Sequence, residues 1–198
     1  SPRKLFGVAD GGIGICRREN WRVGPGPVQR INFSAEPIMP ALNRFEDIEE
    51  THNTEWYKQY LTAEAGQANE SFQMSRLSEQ ILRSYSALDV ERKRRSNAQT
   101  LYEVLRCQLV YQECDEHSIP FGVPIRTKNR AHVVKLLAEQ DIFLATHWAA
   151  LDAPENEFPG AHQLASEILT VPCDQRYDSD DMENIAAAIN KTIRDYDR

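Results

Sequence analysis

Lys4 is the residue whose surroundings most directly suggest chemistry. It stands in "SPRKLFGVADGG", three positions before Gly7 and followed by the Gly11–Gly12 pair. Glycines leave backbone room for a bound cofactor, and a desolvated lysine amine forms a Schiff base with a carbonyl. The other reading of the same spacing is a solvated lysine beside a hairpin. His147 offers a second group, because it follows an apolar run, "DIFLAT", and precedes Trp148, where an imidazole can bind a ligand or carry a proton. A packed or hydrogen-bonded histidine is the plainer alternative. The run "RKRR" at 92–95 invites a nucleic-acid reading. Four consecutive helical positions sweep around the axis, however, and Asp89 and Glu91 stand four residues before Lys93 and Arg95, so a solvated helix face with internal ion pairs is expected.

The remaining residue types exclude more than they suggest. The four cysteines, Cys16, Cys107, Cys114 and Cys173, show no C-x-x-C spacing, and His52, His117, His132 and His162 have no partner at metal-ligand spacing, so no metal site is expected. Reduced, buried thiols in the cytoplasm are the expectation. A net charge of −7 disfavours nucleic acid, and no apolar run is long enough to suggest a membrane span. With 198 residues and 41% hydrophobic content, the chain can bury a sizeable core.

These groups need elements to hold them. Residues 4–15 read as a turn feeding a strand, and "VGPGPVQ" at 23–29 as a connector. Between 41 and 65, Phe45, Trp56, Tyr57 and Tyr60 recur as one apolar side of a helix. A further helix follows a Ser75 cap, with Leu77, Ile81, Leu82 and Tyr85 at helical spacing, and another runs from Asp89 with Leu101, Val104, Leu105 and Leu109 on one face. "SIPFGVPIRT" favours a strand over 119–126. Asn129 then caps a helix burying Val133, Leu136 and Leu137, and strands are predicted at 142–145 and 169–171 in the same sheet. The last helix starts at Asp178 or Ser179 and buries Met182, Ile185, Ile189 and Ile193.

In this order the pieces resemble the C-terminal half of the DegT/DnrJ/EryC1/StrS aminotransferases. "SPRKLFGVADGG" is similar to the family's lysine segment, "FQMSRLSEQIL" to its Met-Ser helix start and "VERKRRSNAQTL" to its Arg-and-Asn helix. "GVPIRTKNRAHVVKLLAEQDIFLATHW" and "FPGAHQLASEILTVPCDQRYDSDDMENIAAAI" resemble its small domain. The resemblance implies an α/β (α+β) chain of the pyridoxal-phosphate-dependent transferase (type I) fold. Residues 1–40 are then a remnant of the large cofactor-binding domain, 41–114 a helical connecting region, and 115–198 a small domain with a helix-covered sheet. It implies Lys4 as the Schiff-base lysine, Ser71 as a further cofactor contact at the place of the family's partner-subunit asparagine, and pyridoxal 5'-phosphate as cofactor. A cytoplasmic homodimer acting on an amino acid and a nucleotide-linked keto-sugar follows, with neither nucleic acid nor membrane as partner. The family carries its ring-nitrogen aspartate, stacking residue and most phosphate contacts ahead of the lysine. A chain starting at Ser1 is therefore expected to be inactive alone, and a non-catalytic interaction or regulatory module retaining the small domain is the rival reading.

Overall fold

The structure, a computed structural model, describes residues 2–13, 35–46, 55–66, 73–106, 108–115, 117–148 and 151–196. The chain divides into two compact units, Ser1–Tyr85 and Ser86–Arg198. The second is a mixed α/β unit with a small antiparallel sheet; the first, as described, is helical.

The first unit begins with α1 (Pro2–Phe6), where a turn was expected. Proline suits the opening turn of a helix, Arg3 to Phe6 continue it, and Gly7 at φ 66° ends it by taking the left-handed conformation. Residues 11–13 are not in a strand, and 14–34, including the expected connector, lie outside the described residues. The helix expected over 41–65 is two helices, α2 (Ala35–Glu46) and α3 (Glu55–Ala65), which pack on each other. α3 buries none of its residues. Instead of turning inward, Tyr57 and Tyr60 stack with centroids 6.4 Å apart, and the Arg44 guanidinium lies 4.9 Å from the Trp56 ring. α4 (Arg76–Ser84) has the expected cap, with the Ser75 hydroxyl accepting the Ser78 amide. Its buried positions are Ser75 and Ser78, while Leu77 and Tyr85 are exposed.

In the second unit, α5 (Ala87–Val104) is capped by Ser86 and is followed by β1 (Gln108–Leu109), a two-residue strand that the sequence pattern did not suggest. Leu109 is therefore in the sheet and not on the helix. β2 (Gly122–Arg126) comes next, then α6 (Arg130–Ala138), α7 (Pro159–Glu167), β3 (Ile168–Pro172) and α8 (Ser179–Tyr196). The strand order is β1-β2-β3, antiparallel throughout, with Val123 opposite Val171 and Ile125 opposite Leu169. Alternation sends these four side chains to one face, where all are fully buried. Ala98, Leu101 and Leu105 of α5 and its C-cap, Val133 and Leu137 of α6, and Met182, Ala186 and Ile189 of α8 complete one core against that face.

The strand expected at 142–145 reduces to a single bridge between Ala145 and Thr170. The chain leaves α6 through Asp141 at φ 58°, and the Ile142 amide bonds back to Leu137, so pairing begins only at Ala145. Asn129 occupies the N-cap of α6 without a side-chain cap bond. At α8 the capping is reciprocal: Asp178 Oδ1 accepts the Asp181 amide, and Asp181 Oδ2 accepts the Asp178 amide, each at 3.0 Å. Asn190 of α8 donates to the Val104 carbonyl and accepts from the Arg106 amide, so it satisfies the frayed end of α5.

Leu169 lies at the centre of this core. Leu169→Ala should lower the unfolding free energy by about 2–5 kcal/mol in urea titrations followed by circular dichroism. Leu88→Ala, on the solvent side of α5 at 73% exposure, should stay within about 0.5 kcal/mol.

Candidate functional site

Lys4 lies on α1 with its side chain exposed to solvent. Its neighbour Arg3 is engaged by Glu64 of α3 at 2.7 Å, and Phe6 packs against Tyr85 with centroids 6.1 Å apart. After α1 the chain buries Val8 and presents Asp10, whose Oδ1 accepts the Ser75 amide at 2.8 Å. Gly11 follows at φ 99°, a conformation strained for any residue with a Cβ, and its α-carbon rests against Met74. The loop behind the lysine is thus held on the Met74–Ser75 start of α4. A Cβ at Gly7 or Gly12 would meet open space, which leaves the backbone near Lys4 accessible. Ser71 lies outside the described residues, so its distance from Lys4 is not defined.

Lys4, which the resemblance implies as the Schiff-base lysine, is exposed and not desolvated. The adjacent guanidinium is already committed to a carboxylate and is not offered to a phosphate.

The "RKRR" run separates into three roles. Arg92 pairs with Asp89 at 2.6 Å, taking the acid expected to serve Lys93, and Arg95 pairs with Glu91 at 2.9 Å as expected. Arg94 does not belong to the solvated face at all. It is 3% exposed and donates to the Gln175 side chain at 2.8 Å and to the Pro120 carbonyl at 3.1 Å. One turn on, buried Asn97 donates its amide to the carbonyls of Asp174 at 2.9 Å and Tyr177 at 3.0 Å. The signal for both was present in the sequence: Val90, Arg94, Asn97, Ala98, Leu101 and Leu105 fall on one helical stripe, and the two polar residues interrupt it.

The loop they hold has shifted titrations. Burial pushes the Cys173 thiol up to about 12, against the opposing charge of Arg94. Burial also tends to raise Asp174, but the Arg176 side chain, bonded to it at 2.7 and 2.9 Å, outweighs that and holds the carboxyl below its ordinary range. Burial lowers Arg94. This network positions backbone and offers no reactive nucleophile.

His147 is hydrogen-bonded, its Nδ1 lying 3.0 Å from Thr170 Oγ1, with the Phe121 and Trp148 rings edge-on at 5.9 and 6.0 Å. His52 lies outside the described residues. Among the described residues no three His, Cys, Asp or Glu side chains are grouped to hold a metal ion, and no helix is long and apolar enough to cross a membrane. No family model matches this sequence, and no curated protein matches it significantly.

Two outcomes follow from the loop's electrostatics. Because Asp174 is depressed in the folded state, its stabilisation is complete above the unfolded carboxylate value of about 3.9 and is lost as pH falls through the lower folded value. Arg176→Gln should flatten that acid limb in unfolding midpoints measured from neutral pH downward. Iodoacetamide mapped by mass spectrometry should modify half-exposed Cys114 in the native chain and reach Cys173 only after unfolding.

Proposed function

We propose that the chain carries the lysine segment and C-terminal domain of a pyridoxal-phosphate-dependent aminotransferase of the DegT/DnrJ/EryC1/StrS type. On this reading its fold is that of the type I transferases, and it moves an amino group from an amino acid to a nucleotide-linked keto-sugar in the cytoplasm, as a homodimer. One observation in the first unit carries most weight. The lysine loop and the Met-Ser helix start, the two segments that resemble the family's cofactor region, meet through the Asp10–Ser75 bond although 65 positions separate them.

Bound pyridoxal phosphate supplies an electron sink for chemistry at an amino acid's α-carbon. Lys4 does the rest of the work assigned here. On this reading Lys4 would hold the cofactor's aldehyde carbon and would carry the proton taken from the substrate Cα. Gly7 and Gly11 take the positive-φ conformations at the two ends of the loop that follows the lysine. Ser71 is assigned to a cofactor contact from the neighbouring subunit. A second reading, a non-catalytic interaction module, draws support from the second unit, whose core is complete within its own residues.

The test uses the protein expressed from its complete reading frame. Incubation with pyridoxal phosphate and borohydride reduction should give a stoichiometric adduct mapped to Lys4, and Lys4→Ala should abolish both adduct and amino transfer. An adduct spread over Lys58, Lys128 and Lys135, or none, would remove the aminotransferase reading and leave the interaction module.

A further inference from the structure

In the second unit, α7, the start of α6 and the segment before α7 surround an open recess of about 320 Å³, at the lower end of small-molecule sites (~300–1,000 Å³). Leu151, Pro159 and Ala165 give it apolar walls, and Arg130, Glu155 and His162 stand in the same lining. Elsewhere in this unit charges find each other: Arg126 binds Glu167, Arg95 binds Glu91 and Arg176 binds Asp174. Arg130 and Glu155 share one recess, yet among the described residues neither forms an ion pair. Arg130 instead donates one Nη1 bond to the Ala165 carbonyl, the side-chain bond it makes among the described residues, and a guanidinium has further donors to offer.

His162 completes the arrangement. Its Nε2 lies 2.7 Å from the Ala153 carbonyl oxygen. A carbonyl only accepts, so Nε2 carries the proton, and in the neutral imidazole Nδ1 is left as an acceptor. The same bond ties Ala153, two positions before Glu155, to α7. One planar cationic fork therefore lines the recess together with two acceptors, a carboxylate and a ring nitrogen, on an apolar ground.

We propose that this recess binds a small zwitterion, an α-amino acid with a short apolar side chain, its carboxylate on Arg130, its ammonium between Glu155 and His162, and its side chain on Leu151 and Pro159. A guanidinium pairs with a carboxylate through two parallel bonds, an ammonium needs several acceptors, and neither charge in the recess has to break an existing ion pair to serve. The site depends on the second unit alone and stands whether or not the aminotransferase reading holds.

The test is titration of the whole chain with L-valine, followed by nitrogen–proton correlation spectra. Isovalerate, which lacks the amine, and isobutylamine, which lacks the carboxylate, are the comparison probes. Valine should give saturable shifts centred on the amides of Arg130, His162 and Ala165, and each comparison probe should bind at least about tenfold more weakly, the loss expected when one charged hydrogen-bonding partner is removed. Glu155→Gln, on the exposed segment, should weaken valine about tenfold or more without moving the unfolding midpoint. Absence of saturable shifts with valine up to about 20 mM, well above the millimolar range of weak sites, would overturn the proposal. So would isovalerate binding as tightly as valine, or an unchanged valine affinity in Glu155→Gln.

Discussion

The bond on which the second unit depends is that between the Asn97 side chain and the turn joining β3 to α8. Its amide nitrogen reaches the carbonyls of Cys173, Asp174 and Tyr177, at 3.5, 2.9 and 3.0 Å. Carbonyls withdrawn from water need donors, and of these three the Asp174 carbonyl also accepts the Tyr177 amide, at 3.3 Å. Asn97 supplies a donor to each. Arg94, one turn earlier, does the same for the entry to β2 through the carbonyls of Pro120 and Phe121. α5 thereby anchors the start of β2 and the exit of β3, the pair in which Val123 and Ile125 meet Val171 and Leu169. The electrostatics follow from that burial: the same enclosure that raises Cys173 would raise Asp174 too, were Arg176 not fixed beside it.

This gives a physical meaning to the part of the sequence that resembles an aminotransferase's Arg-and-Asn helix. Those residues serve as scaffold, not as ligands. Arg94 and Asn97 hold backbone, and their conversion to catalytic duty would uncover carbonyls at both ends of the sheet. In the first unit the analogous role falls to Asp10, which caps α4 from a distant loop and so fixes where the chain runs after Lys4. Gly7 and Gly12 leave the backbone beside that loop open, and the Asp10 bond restrains it.

Much of this was legible in the pattern of residues. Strand-favouring composition over 119–126 and 169–171 marked β2 and β3, and the spacing of Met182, Ile185, Ile189 and Ile193 marked α8, because burial on one face imposes a period that a sequence displays. Local signals at Ser75 and Asp178 marked helix starts for the same reason: the capping oxygen must stand beside the amides it serves. What escaped was set by long-range partners. Arg94 stands on the apolar stripe of α5 within a run of four cations, and only Gln175 and Pro120 show what it holds there. The run 142–145 has strand composition, but the left-handed Asp141 delays it until a single bridge remains. α1 shows the opposite error, since Pro2 and the following residues favour a helix locally and the glycines beyond them drew attention to a turn. The recess at Arg130 left no trace in the sequence, because its lining comes from three separate segments.

The claim that one side chain organises both the β3 exit and the start of α8 is tested most directly by native-state hydrogen exchange on Asn97→Leu, which keeps the volume and removes the donor. In that variant the amides of β3 and of the first turns of α8 should exchange faster together, by a common factor of roughly 10–100, as expected if about 1–3 kcal/mol is lost where carbonyls lose a donor. Exchange unchanged in β3 and α8, or altered only at the turn residues themselves, would contradict it.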